Sequence, residues 1–387
     1  MLTILVFIII LGLLIFAHEF GHFLAARRNG IKTEEFGFGF PPRILGYVKN
    51  DKNGKYKIIL GDKKIVSKNT IFSLNWIPLG GFVKIKGESG EAKSDEDSFA
   101  GKSAWTRVKV LVAGVIMNFI LAWALISIGL MIGAPQPVRD SDKLAKNPKI
   151  QVNQIIPGAP AEKMNLKIGD EIIKCQMPIP RCQKKFSSIA DIQNVINGYK
   201  GKEIIFQIKR GGEILEIKGV PRTEYPADQG PLGISLVKTA LIAYPWYQAI
   251  WEGLKTTYEI CIAIFSILGN IIKDFFTGKK VSVEVTGPVG IAILTKQVTG
   301  LGLVYILQFA ALLSINLGII NGLPFPALDG GRILFILIEK IKGSPVSQKI
   351  ERAFHTIGFV LLITLMIVVT FKDFIRFDLI EKIKGIF

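Results

Sequence analysis

The sequence predicts a multi-pass α-helical membrane protein with about four spans, a small membrane-associated β-sheet on the cytoplasmic side and one compact α+β domain on the other. Three observations carry that prediction. Of 387 residues, 49% are hydrophobic and only 20% charged. The apolar residues gather into long uncharged runs, the mark of bilayer-crossing helices, instead of alternating with polar ones. Lysines and arginines flank those runs, so the formal charge of +17 reads as orientation in a membrane and attraction to its anionic headgroups. The basic residues form no stripe interleaved with aromatics, and no nucleic-acid partner is expected. With 3 Cys and no short period, a disulfide scaffold and a collagen-like chain are also excluded.

A helix needs about 20 apolar residues to cross roughly 30 Å of hydrocarbon. Residues 1–26 make the first span, uncharged through Ala17 and ended by Arg27 and Arg28. They lack the basic n-region and small-residue cleavage site of a signal peptide. In the following section, 27–104, the stretches 55–66 and 77–86 are rich in β-formers and predict a small sheet. The Gly-Phe-Gly-Phe-Pro-Pro run at 37–42 and the turn at 78–82 are apolar enough to dip into the membrane. Residues 105–133 make the second span, and 149–223 a compact domain with strands at 150–156, 204–210 and 214–220 around a helix at 188–198. Residues 245–300 read as an interfacial amphipathic segment, because the uncharged core at 260–272 is short for a span. The third span, 301–338, is interrupted between Asn321 and Gly331 by two prolines and several glycines, and the fourth is 353–371. Basic flanks at Arg27, Arg28, Lys102, Arg107, Lys109, Arg332, Lys340, Lys342, Lys349 and Arg352 set those loops in the cytoplasm. Both termini and the section from 134 to 300 are then expected outside.

The chemistry concentrates in the first span. His18-Glu19-Phe20-Gly21-His22 is an H-E-x-x-H motif, and on a helix its imidazoles fall at i and i+4 on one face. Both can bind one zinc, with Glu19 beside them as general base. Ionisable groups inside a span are costly and functional by default, and three in five residues need a common partner. A catalytic zinc takes a third protein ligand. His355, the chain's other histidine, has no ligand context and reads as a packing or interface group, so Asp329 is the better candidate. It lies in the broken part of the third span, where irregular backbone must line a cavity or be buried in protein. Depth agrees: both His18 and Asp329 fall just before basic residues on the cytoplasmic side. An ion pair of Asp329 with Arg332 is the alternative.

These motifs resemble the site-2 intramembrane metalloproteases of the bacterial regulator of sigma-E type, over nearly the whole chain. The matching pieces are His18 to His22, Pro78-Leu79-Gly80-Gly81-Phe82-Val83-Lys84, Gly114-Val115-Ile116-Met117-Asn118, Thr286-Gly287-Pro288-Val289-Gly290-Ile291 and the Asn321 to Gly330 run. The resemblance implies one Zn2+ per chain on His18, His22 and Asp329, with Glu19 as acid/base. It also implies that Asn321 helps hold substrate near the metal; Pro324 in the same run, and Gly80, Gly81 and Phe82 in the 77–86 hairpin, whose exposed edge suits β-augmentation, are further substrate-binding candidates. Pro157-Gly158-Ala159-Pro160-Ala161 followed by Leu166-Lys167-Ile168-Gly169-Asp170 looks like one PDZ-like module, where the family type carries two in tandem. The expected protein is an intramembrane zinc endopeptidase of the bacterial inner membrane that cuts single-span membrane proteins, anti-sigma-factor-like or signal-peptide remnants. An upstream site-1-type protease would act first. Cys175 and Cys182 lie on the expected outer side, where a disulfide is permitted, and Cys261 reads as an apolar filler. The rival reading is a non-catalytic membrane PDZ scaffold, against which stands the presence of every catalytic group, Glu19 included. A transporter also carries broken spans, but the chain has one broken helix and no internal repeat.

Overall fold

The computed structural model describes residues 2–50, 54–63, 65, 67–138, 146–156, 158–176, 185–211, 213–226, 229–278, 286–344 and 346–376. Along the chain run α1 (Leu2–Arg28), β1 (Thr33–Lys49), β2 (Tyr56–Leu60), β3 (Ile71–Ile85) and α2 (Ala104–Ile132). Next come β4 (Ala134–Pro137), β5 (Lys146–Ile155), α3 (Pro160–Lys163), β6 (Glu171–Cys175), α4 (Ile189–Gly198), β7 (Ile204–Arg210), β8 (Glu213–Gly219) and β9 (Ile234–Ile242). The remainder is helical: α5 (Trp246–Phe276), α6 (Pro288–Leu301), α7 (Leu303–Gly322), α8 (Asp329–Lys342) and α9 (Gln348–Arg376). The chain divides into two units, one of Met1–Ile128 with Gln248–Phe387 and one of Gly129–Tyr247.

In the first unit, α1, α2, α7 and α9 are the four described helices long and apolar enough to cross a membrane. The shortest, α7, has 20 residues, which at 1.5 Å per residue is about 30 Å, the thickness of the hydrocarbon core. The expected third span is thus two helices. Leu323 turns to an extended conformation after α7, Pro324 and Pro326 have no N–H to continue the ladder, and α8 starts at Asp329. The expected single segment 245–300 is likewise two helices, α5 and α6. Gly287 caps α6 and Pro288 takes its first turn, while the buried carboxylate of Asp373 on α9 accepts from Gly287 and Gly290 N–H at 2.9 and 2.8 Å.

The three-stranded sheet corrects the expected strands. Residues 37–42 lie inside β1, not in a loop, and β3 starts at Ile71 instead of 77. The reason is local packing: at Gly37 a Cβ would collide with the Phe82 ring and the side chains of Asn75 and Ser73, so glycine lets β3 close over β1. The order is β2-β1-β3, and β1 and β3 interleave. Phe36 stands opposite both Val83 and Phe72, and Phe72 stands opposite both Phe36 and Tyr47. Residues 81–85 therefore form the outer edge.

The second unit holds a six-stranded sheet of order β4-β9-β5-β6-β7-β8. Its core is built from Val152, Ile172, Ile192, Ile204, Phe206 and Ile208, all buried. The domain extends beyond the expected 149–223, because β9 pairs with both β4 and β5. Lys238, in the middle of β9, interrupts the apolar signal there and points its ammonium at the Ser187 carbonyl. Cys175 is buried at the end of β6 and disulfide-bonded; Cys182 lies outside the described residues.

Candidate metal centre

On α1, helical spacing turns His18 and His22 to the buried side, 7% and 6% exposed. Gly114 of α2 makes room for them, since a Cβ there would strike the His22 ring. His22 Nδ1 lies 2.9 Å from the Val110 carbonyl and can only donate to it. That hydrogen bond sets the tautomer and leaves the Nε2 lone pair facing inward.

The third group arrives from the break between α7 and α8. Ala327 sits in the left-handed region at φ 70°, uncommon for a residue with a Cβ. Its N–H donates to His355 Nδ1 of α9 at 2.9 Å, and two residues later Asp329 opens α8. Asp329 Oδ2 lies 3.0 Å from His18 Nε2 and 3.3 Å from His22 Nε2, and the two nitrogens are 3.1 Å apart. Oδ2 is buried with no donor aligned to it. Three potential ligand atoms thus converge on one point. A single proton could satisfy one pair among them but not all three; a cation of borderline softness, bound by two imidazoles and a carboxylate, satisfies the set. These are also the described residues that meet the spacing of a metal-ligand cluster.

Glu19 stands beside them. Its Oε2 accepts the Val83 N–H at 3.1 Å, from the outer edge of β3. The four groups line a cavity of about 130 Å³, whose lining also includes the Arg332 to Glu88 ion pair. Arg332 therefore pairs with Glu88, and Asp329 is left to the histidines.

Of the other expected site residues, Asn321 at the end of α7 brings Nδ2 to 3.5 Å from His18 Nε2. Pro324 lies exposed in the break, where it ends α7. Gly80 packs against Ile15 of α1, and Gly81 and Phe82 lead into Val83, so the hairpin reaches the cluster through its backbone. Two groups escaped the sequence reading. His355 anchors the Ala327 turn, and nothing in its own segment signals a partner 28 residues away. Val83 acts through its main chain, which no residue type reveals.

Helices that gather two imidazoles and two carboxylates around one cavity, in a chain with four apolar candidate spans, define the class as a membrane metallohydrolase. The family model described as peptidase family M50 matches residues 6–62 and 55–365. The regulator of sigma-W protease RasP of Bacillus subtilis is 30% identical, covering 97% of this chain and 98% of its own. The zinc metalloprotease RasP of Geobacillus kaustophilus is 29% identical over 97% of this chain and 99% of its own. A Clostridium acetobutylicum protein with a provisional zinc metalloprotease name is 33% identical, over 96% of this chain and 97% of its own. The chain belongs to peptidase family M50, the site-2 protease family, and is a zinc metalloprotease.

Proposed function

We propose that the chain is an intramembrane zinc endopeptidase that cuts the transmembrane segments of single-span membrane proteins. In this reading His18, His22 and Asp329 hold one zinc ion and Glu19 is the acid/base. The observation that carries it is the convergence of three potential ligand atoms within 3.3 Å of one another, with Glu19 alongside, two of them on a helix suited to a bilayer.

When bound, zinc supplies a Lewis acid that polarises the scissile carbonyl and makes water acidic near neutral pH. Glu19 takes the water proton and returns it to the leaving amine. With Oε2 held by Val83 N–H, the proton travels on Oε1. Asn321 lies close enough to donate to a substrate oxygen beside His18. Val110, Leu111 and Phe99 contribute apolar side chains to the lining of the cavity.

A helix hides its carbonyls in internal hydrogen bonds, so the substrate must unwind first. Residues 81–85 offer a sheet edge to the unwound stretch, and β-augmentation there uses main-chain bonds that tolerate any sequence. Because Val83 on that edge touches Glu19, a strand added to it runs past the site. Proline at Ile85, whose N–H shares the outward side of the edge with that of Val83, should weaken cleavage and leave zinc bound; unchanged cleavage would sink the edge-binding step.

The basic flanks favour a cytoplasmic position for the three-stranded sheet and an outer position for the six-stranded domain. That domain's proposed role is PDZ-like, excluding substrates whose outer part is untrimmed, so that a site-1-type protease acts first. The Bacillus subtilis relative is named a regulator of sigma-W protease, which supports anti-sigma-factor-like substrates in regulated intramembrane proteolysis at the inner membrane. A Cys175 to Cys182 bridge fits that oxidising side.

The test is cleavage of a purified single-span substrate in detergent by the wild type and by Glu19→Gln, with bound zinc measured in both. The expected outcome is a loss of about 10²- to 10⁴-fold in rate with zinc retained. A variant that cuts as fast as the wild type removes Glu19 from the mechanism.

A further inference from the structure

Asn118 of α2 is fully buried, and its side-chain amide meets His18 Nδ1 at 3.1 Å through Nδ2. Its Oδ1 is buried without a partner. In that orientation the amide donates, so His18 Nδ1 must accept and the ring proton sits on Nε2. That proton would then point at Asp329 and His22, in the place a cation needs. Turning the amide by 180° takes that proton off Nε2. The two ends of a carboxamide have nearly the same shape, and only the hydrogen-bond network decides between them. Once turned, Oδ1 accepts from His18 Nδ1–H, and the Nε2 lone pair faces the cluster.

The neighbouring histidine shows the same arrangement. His22 Nδ1 donates to a carbonyl of the same helix, that of Val110. Helix α2 thus offers one oxygen to each ring, a main-chain carbonyl for His22 and a side-chain carbonyl for His18. The Asn118 side chain is also held from behind. Gly318 of α7 packs on its Cβ, and Ser314 Oγ donates to its backbone carbonyl at 2.8 Å.

We infer that Asn118 is a positioning residue that fixes His18 in the tautomer competent to bind metal, with its carbonyl oxygen as the acting atom. The inference rests on His18, His22 and Asp329 being the zinc ligands. An outer partner of this kind typically contributes 10- to 100-fold to metal affinity.

The experiment measures zinc affinity of the full chain in detergent by chelator competition, for the wild type, Asn118→Asp, Asn118→Leu and His18→Ala. Aspartate offers only acceptors, whereas leucine keeps the volume and offers nothing. Asn118→Asp should bind zinc as tightly as the wild type or tighter, and Asn118→Leu about 10- to 100-fold more weakly. An aspartate variant as weak as the leucine one overturns the inference, because then the amide N–H mattered; so does a leucine variant that binds normally. If Asn118→Leu does not fold, Asn118→Asp decides alone, since a tenfold loss there is sufficient to reject the role. A His18→Ala variant with wild-type affinity refutes the zinc site itself, and the inference falls with it.

Discussion

Asp170 of the six-stranded domain is a fully buried carboxylate and Asp329 of the membrane unit a largely buried one, yet their partners are opposite in kind. Asp170, 1% exposed, accepts from Arg210 Nε and Nη2 at 2.7 and 2.6 Å and from Lys167 N–H at 2.8 Å. Every contact is a donor, and the group ties β6 and β7 to the turn before them. Asp329 turns Oδ2 toward two imidazole nitrogens with no donor aligned to it. A buried carboxylate surrounded by donors serves structure; one set against two imidazole nitrogens has the partners that suit a metal ion. Asp373 follows the first pattern, with two backbone N–H groups on its oxygen.

The largest effects should separate these two carboxylates. Asp329→Ala should abolish zinc binding and cleavage while the six-stranded domain keeps its stability. Asp170→Ala should leave zinc bound but destabilise that domain by roughly 2–3 kcal/mol, the worth of lost hydrogen bonds to a charged group. Zinc content and hydrogen exchange at the β6 and β7 amides would read both. Zinc lost from Asp170→Ala, or kept by Asp329→Ala, would break the comparison.

A smaller effect tests how Asp329 is aimed. His355→Ala removes the acceptor for Ala327 N–H, and the left-handed residue, which costs about 1–2 kcal/mol, loses its anchor. Zinc affinity should fall about tenfold. Adding Ala327→Gly relieves the backbone cost, so the double variant should lose less than His355→Ala alone. Chelator competition on both proteins checks this, and equal losses would mean that His355 acts by packing alone.

How much of this was legible depended on whether the information was local. The motif at 18–22 reads directly, because i and i+4 on a helix share a face whatever surrounds them. Asp329 was reachable because Pro324 and Pro326 announce the break that presents it. The strands were harder. The run at 37–42 contains Gly37, Gly39, Pro41 and Pro42, all poor strand formers, and became part of β1 only because Phe82 and Asn75 close over it. Strand β9 needed β4 and β5 on either side to stand out from its own polar residues. Partners such as His355 and Val83 are tertiary facts, invisible to any local window.

The smallest effect applies the same rule about donors to an exposed carboxylate. Ser188 Oγ accepts from Asp191 N–H at 3.1 Å, and Asp191 Oδ2 accepts from the Ser187 hydroxyl at 2.9 Å and the Ser188 N–H at 2.9 Å, a capping box that starts α4. The Ser187 hydroxyl, then the Ser188 N–H, hold the Asp191 carboxyl below the usual carboxylate range. A carboxyl with a lower pKa folded than unfolded adds stability that is fully present above the unfolded pKa and disappears as pH falls through the folded one. Hydrogen exchange at the α4 amides should therefore quicken as pH drops through and below the usual carboxylate range, after correction for the intrinsic exchange rate. Asp191→Asn should lose that dependence, and Ser188→Ala should cost about 1 kcal/mol at neutral pH. Zinc affinity should not move in either variant, because this carboxylate meets only donors within its own domain. A pH response that persists in Asp191→Asn would assign it to another group.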